Sequence, residues 1–231
     1  MSRPESIENR WDILYRDYPE VYEAFSNVPY HPTIYDQLPK IIDLRGKRIA
    51  DVGAGTGSSS LALARSARQV FGIEREPAML RQAQQKARGE NIIFLCGDAL
   101  ALPLADNSVD LVTGMTLAVY PPERYRDFIH EGLRVAKGPV VYVGIPPGWY
   151  GGDLDAVIEN PFKGKIDVVM DRIFLEEFKF AYQDIFSEQE YGTVEHIVSI
   201  YGFIFGKKAI EYLKREKKTA IRWKFRVYWR E

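Results

Sequence analysis

The sequence predicts an α/β fold in which a mostly parallel sheet is covered by helices on both faces. Two observations lead to this prediction. Between residues 46 and 146, short β-branched runs alternate with stretches of helical periodicity, an order that is typical of right-handed βαβ crossovers. Near the end of the chain, residues 220–229 alternate apolar and charged side chains, which predicts a half-exposed antiparallel strand.

The predicted elements follow one another regularly. The first 45 residues are predicted to form aromatic-rich helices over 5–15 and 32–44, outside the sheet. Core strands are predicted at 47–52, 70–74, 91–96, 109–114 and 139–145, with helices at 58–68, 77–88 and 122–136. After a turn-rich loop, helices are predicted at 166–178, from the Thr193 cap onward and at 207–217, with strands at 180–186 and 220–229.

These elements predict a Rossmann-like three-layer sandwich with seven strands, an antiparallel last strand and an N-terminal helical cap. No internal repeat or linker interrupts the pattern, so we expect one domain over residues 1–231. Within it we distinguish the cap at 1–45, a cofactor-binding core at 46–146 and a C-terminal part at 147–231 that completes the sheet.

The composition is that of a globular protein with an ordinary core. Of 231 residues, 46% are apolar and 27% are charged, so neither a metal nor a disulfide is required for folding. The single cysteine, Cys96, favours a reducing compartment. Charged residues interrupt the N-terminal segment where a signal peptide would need an apolar run. Since no run approaches the roughly 20 apolar residues of a membrane span, we expect a cytoplasmic protein without membrane contact.

Basic residues concentrate at the end of the chain. Residues 206–231 carry a charge of +7 in a chain whose net charge is −1. Such a segment can contact nucleic acid. The interpretation that we favour is a solvated helix face followed by an edge strand that Lys and Arg protect from further pairing.

A strand that runs into a glycine-rich turn carries the strongest functional signal. Gly53, Gly55 and Gly57 follow the first core strand and let the backbone turn and approach a ligand closely. Glu74 ends the next strand, where a carboxylate can accept both hydroxyls of an adenosine ribose. Asp98 follows the third strand and can accept a hydrogen bond from an adenine amino group. Together these residues predict a site for an adenosyl cofactor.

Two residues distinguish between possible adenosyl cofactors. Ser58 occupies the place of the third glycine in a dinucleotide fingerprint. Asp51 lies just before the glycines, where its charge would repel a pyrophosphate. S-adenosylmethionine has no phosphate and carries an ammonium and a sulfonium, which an acid favours. The pattern therefore favours S-adenosylmethionine, with S-adenosylhomocysteine as product and no metal, over NAD.

At these positions the chain resembles the class I S-adenosylmethionine-dependent methyltransferases, especially the small-molecule type similar to ubiquinone/menaquinone methyltransferases. The segments that carry the resemblance, in family order, are 51–57, Glu74, 97–99, 102–110 and 133–138. The resemblance implies methyl transfer by in-line displacement. The residues that it implies for cofactor binding are Asp51, Gly53, Ala54, Gly55 and Gly57 for the methionine end, Glu74 and Arg75 for the ribose, Asp98 and Ala99 for the adenine, and Met115 and Thr116 for the path to the sulfonium.

The chain departs from this family after the fourth strand. The family's frequent His-His or His-Leu pair is replaced there by Thr-Leu-Ala-Val-Tyr at 116–120. An Asn-Pro-Pro-Tyr or Asp-Pro-Pro-Tyr set, used on amino groups of bases or glutamine, is missing at that place. Alignment of donor and acceptor supplies much of the rate in such a reaction, and a base is needed only if the acceptor must lose a proton. The sequence therefore identifies no catalytic residue, and we interpret His31, His130 and His196 as ordinary.

Aromatic residues favour a small, partly apolar acceptor. The loop at 146–153 follows a central strand at the ligand-binding edge, and the aromatic N-terminal segment is expected to cover it. The candidate acceptor-contacting residues are Tyr30, Tyr120, Trp149 and Tyr150. The same aromatics are also compatible with a solid core. Three alternatives stay open: a methyltransferase acting on RNA or protein through the basic segment, an NAD-dependent oxidoreductase and a non-catalytic cofactor-binding module.

Overall fold

A computed structural model describes residues 10–28, 30–88, 90–146, 152–158 and 166–231. Its eight strands belong to one sheet, in the order β1-β7-β8-β6-β5-β2-β3-β4. The strands are β1 (Tyr30–His31), β2 (Arg48–Val52), β3 (Gln69–Glu74), β4 (Ile92–Cys96), β5 (Leu111–Met115), β6 (Val140–Gly144), β7 (Ala181–Glu190) and β8 (Ala220–Arg230). Seven of them are the predicted strands, and the two-residue β1 is added at one edge.

The helices cover both faces of this sheet. They are α1 (Arg10–Asp17), α2 (Pro19–Ser26), α3 (Ile34–Gln37), α4 (Ser58–Ala64), α5 (Pro77–Lys86), α6 (Tyr125–Val135), α7 (Leu154–Val157), α8 (Ile166–Asp171), α9 (Val194–Phe205) and α10 (Lys207–Arg215). The helix predicted over 166–178 changes at Arg172–Glu177 into a π-helical turn. None of the helices in the described residues combines the length and apolar character that a bilayer crossing requires.

The five core strands are parallel neighbours, as predicted. Asp51 of β2 pairs with Gly72 of β3 on one side and with Thr113 of β5 on the other. The strands β4 and β6 extend this parallel arrangement outward. Successive residues of β2 point to opposite faces, so Ile49 belongs to one buried apolar cluster and Ala50 to the other. The α/β sandwich with a mostly parallel sheet is therefore confirmed.

The last strand is antiparallel, as predicted, but it is not an edge strand. β8 pairs with β6 on one side and with β7 on the other. β7 continues to Glu190, four residues beyond the predicted end, and provides a ten-residue partner. The interpretation of an edge protected by Lys and Arg is thus wrong. The alternation serves packing instead, because Ile221, Trp223 and Phe225 are buried while Arg222 is exposed.

The N-terminal segment forms the expected helical cap, with two corrections. The helix predicted over 32–44 is short: α3 begins at the Thr33 cap, whose hydroxyl accepts from the backbone N–H of Asp36, and a 3-10 turn follows. The two residues of β1 pair with β7, so the first 45 residues are not wholly outside the sheet. The physical reason is the outer edge of β7, whose backbone groups need partners. The buried side chain of Gln189 adds to this contact by donating to the carbonyls of Phe25 and Val28.

Candidate active site

A cleft opens where the parallel strands end, the edge at which α/β sheets bind ligands. It encloses about 870 Å³, including space open to solvent, and its walls come from the segments that follow β2, β3, β4 and β5, and from α1 and α2. Three of the sequence-predicted groups meet here: the glycine turn, the acid after β3 and the acid after β4. The topology thus brings together residues that are far apart in the chain.

The glycine turn lines the cleft through Gly53 and Gly55. Gly53 has a φ of +74°, and a Cβ at this position would lie 2.7 Å from Cδ1 of Leu117. A side chain at this position would therefore be strained by the backbone conformation and would require Leu117 to move. Gly57 serves packing: a Cβ there would lie 3.1 Å from the Cβ of Ala83 in α5. The predicted residues Ala54 and Gly57 are not among the residues that line the cleft.

Asp51 lies beneath the glycine turn and is fully buried. Its Oδ2 accepts hydrogen bonds of 2.6 Å from the hydroxyls of Ser59 and Ser60, at the start of α4. Its Oδ1 accepts a longer bond of 3.3 Å from the hydroxyl of Thr113. Burial raises the pKa of this carboxyl to about 6, although the three hydroxyls oppose the shift. In the structure Asp51 therefore joins β2 to α4 and β5, and its predicted contact with a cofactor stays a prediction.

Glu74 is held rigidly at the end of β3. Its Oε2 accepts from the backbone N–H of Gly55 at 2.9 Å, and its Oε1 accepts from that of Glu76 at 2.8 Å. Glu74 and its neighbour Arg75 both line the cleft. A carboxylate oxygen can accept more than one hydrogen bond, so both oxygens can still receive hydroxyl donors. The glycine turn and the ribose-binding candidate thus form one unit.

The acid after β4 closes the opposite wall. Asp98 and Ala99, the candidates for adenine binding, both line the cleft. Oδ1 of Asp98 accepts from the backbone N–H of Leu100 at 2.9 Å. This local bond fixes the direction of the carboxylate, which is a usual function of Asp in turns.

The segment after β5 carries backbone strain. Met115 and Thr116 line the cleft, and Thr116 has a φ of +52°, which is unusual for a β-branched residue. Its N–H donates to the carbonyl of Val143 at 2.7 Å, and its hydroxyl donates to the carbonyl of Met115 at 2.8 Å. Such strain costs of order 1–3 kcal/mol and persists only where the surroundings enforce it.

Two buried tyrosines enforce the path of this segment. The hydroxyls of Tyr125 and Tyr142 donate to the carbonyl of Leu117 at 2.8 and 3.1 Å. Burial raises the pKa of both tyrosines, which keeps the two donors protonated. The apolar side chains of Leu117 and Val119 are in this way held on the cleft wall.

The N-terminal helices contribute residues that the sequence prediction did not single out. Tyr15 of α1 and Tyr22 of α2 line the cleft. A salt bridge joins Glu23 of α2 to Lys86 of α5, and Lys86 also donates to the hydroxyl of Thr56 at 3.2 Å. The only sequence signal for these contacts was the abundance of aromatic residues in the N-terminal segment.

The candidate acceptor residues have different outcomes. Tyr120 lines the cleft and is 66% exposed. Tyr30 contributes its backbone to β1, and its side chain lies outside the described part of the structure. Trp149 and Tyr150 also lie outside the described residues. Arg124, which was not predicted, lines the cleft near Tyr120 in the chain.

The middle of the chain is similar to known methyltransferases. A family model described as a methyltransferase domain matches residues 49–138. A demethylmenaquinone methyltransferase of Renibacterium salmoninarum is 39% identical over 92 residues, which cover 40% of this chain and 38% of that protein. One of Geobacillus stearothermophilus is 32% identical over 141 residues, covering 51% of this chain and 58% of that protein. The chain thus spans less than two thirds of the length of these relatives.

The fold is similar to that of solved structures well beyond residues 49–138. A solved structure of a methyltransferase from an antibiotic biosynthesis pathway in Anabaena variabilis superposes with a TM-score of 0.60. The superposition covers 87% of this chain and 98% of that one at 18% identity, which establishes a common fold. Residues 49–138 therefore match a methyltransferase domain, within a fold that the chain shares with this solved structure.

Proposed function

We propose that the protein transfers a methyl group from S-adenosylmethionine to a small acceptor. The observation that carries this proposal is the rigid unit of Glu74 and the glycine turn at the cleft wall, joined by the 2.9 Å bond from the Gly55 N–H. When bound, S-adenosylmethionine supplies an electrophilic methyl group, whose bond to sulfur breaks while an electron pair of the acceptor forms the new bond. The electron pair of the broken bond stays on sulfur.

The residues of the cleft suit this cofactor. Gly53 and Gly55 have positive φ values and line the cleft without a side chain, as expected where backbone must lie close to a ligand. We assign the ribose hydroxyls to Glu74 with Arg75 beside it, because a fixed carboxylate binds a pair of hydroxyls well. We assign the adenine to Asp98 and Ala99. The methionine end is assigned to the turn at 53–57, with Met115 and Thr116 beside the sulfonium.

The negative charge of Asp51 supports the assignment of the methionine end to the glycine turn. Its carboxyl group is buried and accepts hydrogen bonds from the hydroxyls of Ser59, Ser60 and Thr113. A cationic ligand above the turn favours the ionised form of such a carboxyl. The negative charge of a pyrophosphate would disfavour the ionised form of this carboxyl group.

The acceptor side of the cleft is apolar and aromatic. Leu117, Val119 and Tyr120 come from the segment after β5, and Tyr15 comes from the N-terminal cap. We therefore propose a small, partly apolar or aromatic acceptor, and the names of the demethylmenaquinone methyltransferase relatives support the same class. Tyr30, Trp149 and Tyr150 stay proposed contacts. These residues act by positioning the acceptor and excluding water, which is sufficient for much of the rate.

The basic C-terminal segment does not favour a nucleic-acid acceptor. Lys224 and Arg226 both pair with Asp184, at 2.9 and 2.6 Å. Lys218 pairs with Asp153 at 3.1 Å. Three of the ten basic residues of this segment are therefore paired with acids from other parts of the chain, and we rank RNA- or protein-directed transfer below a small acceptor.

Two measurements test the proposal. Calorimetry should show binding of S-adenosylmethionine and S-adenosylhomocysteine and little binding of NAD. Incubation of a metabolite extract with radiolabelled donor should place the label in a small molecule. Tight NAD binding without S-adenosylhomocysteine binding would reverse the cofactor assignment, and label only in RNA or protein would refute the small acceptor.

A further inference from the structure

Two tyrosines of the N-terminal helices form an aromatic pair on the cleft wall. The ring centroids of Tyr15 and Tyr22 lie 5.0 Å apart, with their planes at 86°. Tyr22 also packs against the glycine turn, since its Cε1 would lie 3.6 Å from a Cβ on Gly55. An aromatic surface from the cap thus meets the turn to which we assign the methionine end of the cofactor, in the cleft that Met115 and Thr116, our candidates beside the sulfonium, also line.

Two carboxylates lie near Tyr22. Burial, followed by the charges of Glu74 and Glu23, raises the pKa of Tyr22 to about 12. The phenol is therefore neutral at physiological pH, and it lies in the field of two carboxylates. Glu23 has Lys86 as its partner, whereas the carboxylate of Glu74 is held by backbone N–H groups. An aromatic face and a nearby carboxylate both attract a cation.

Neighbouring residues on α2 fix the position of Tyr22 relative to the glycine turn. Lys86 contacts both Glu23, the residue after Tyr22, and the hydroxyl of Thr56 in the glycine turn. The hydroxyl of Ser58 donates to Oδ1 of Asn27 at 2.6 Å, just beyond α2. The contacts of Lys86 and Ser58 therefore hold α2, and with it Tyr22, close to the glycine turn.

We propose that Tyr15 and Tyr22 recognise the positive charge of the methyl donor, so that the cap binds the cationic donor more tightly than the neutral thioether product. This inference rests on the proposed function. Because the product has no sulfonium, it loses the attraction of the aromatic pair and of the carboxylate beside it. The cap therefore discriminates donor from product by charge and favours exchange of one for the other.

The test is the ratio of two dissociation constants, measured by calorimetry for S-adenosylhomocysteine and S-adenosylmethionine. Tyr22→Leu and Tyr15→Leu should each lower the preference for the donor by about 2- to 30-fold, the range of one cation–π contact. Tyr22→Phe retains the aromatic face and should keep most of the preference. Tyr18→Leu is the matched control: Tyr18 lies in the same cap but packs on Phe203, with ring centroids 5.2 Å apart.

A second measurement covers the case in which a Leu variant does not fold. A series of Tyr22→Phe variants with increasingly fluorinated rings keeps the shape of the side chain while it weakens the negative ring face. Donor affinity should decline along the series while product affinity stays constant. Equal loss of both affinities, or no change in either series, would overturn the inference. A wild-type protein that binds neither ligand would instead overturn the proposed function.

Discussion

Replacing Glu74 by Ala is expected to weaken cofactor binding strongly while leaving the fold intact. In the proposed complex the carboxylate accepts two hydroxyl donors, and hydrogen bonds to a charged group contribute roughly 1.5–3 kcal/mol each. Two such bonds correspond to at most about 3–6 kcal/mol, or roughly a 10²- to 10⁴-fold increase in the dissociation constant. The substitution also leaves the N–H groups of Gly55 and Glu76 without their carboxylate acceptor, which loosens the turn and adds to the loss.

The assay is calorimetric titration with S-adenosylhomocysteine, with circular dichroism to confirm folding. Glu76→Ala is the matched control, because Glu76 is an acid two positions away that does not line the cleft. Glu74→Gln separates charge from shape, since it keeps the length of the side chain and one carbonyl oxygen. A Glu74→Ala variant that binds as tightly as the wild type would refute the assignment of this residue to the ribose. Equal losses in the Glu74 and Glu76 variants would point to a general disturbance of the loop.

Three further predictions concern the support of the site. Gly53→Ala should lower the unfolding free energy more than Gly46→Ala in urea titrations, because both have positive φ but only Gly53 would meet a leucine side chain at 2.7 Å. The pKa of Asp51 is raised to about 6 from 3.8 by burial, so the folded state binds the proton more tightly than the unfolded state. Wild-type stability relative to Asp51→Asn should therefore fall by up to about 3 kcal/mol as pH rises from about 4 to 6; an increase would contradict this sign. Lys86→Met should speed amide exchange in α2, whose acid it binds, whereas Lys207→Met, which breaks an exposed pair on α10, should leave α2 unchanged.

The sequence alone determined the α/β class, the order of the core elements and the main cofactor-binding candidates. Local rules suffice for these features. The alternation of β-branched runs with helical stretches specifies the crossovers, and the strand ends carry Gly53, Glu74 and Asp98 to one edge whenever the strands are parallel neighbours. For that reason the positions of Gly53, Glu74 and Asp98 after successive strands are enough to predict a common site, and all three line one cleft.

Only the tertiary structure decided which long-range partners these elements take. The last strand looks like an edge strand because its polar and apolar residues alternate, but β7 pairs along its full length and makes it an inner strand. The sequence predicts Asp51 as a ligand contact from its place before the glycines, and only the tertiary structure shows that its carboxyl group is buried and bound by the hydroxyls of Ser59 and Ser60. Tyr22 gave no local signal, because its contact with the turn depends on where α2 lies in the folded chain. A local sequence pattern indicates which secondary structure a segment prefers. Burial and strand pairing also depend on segments that are distant in sequence, so the local pattern alone does not specify them.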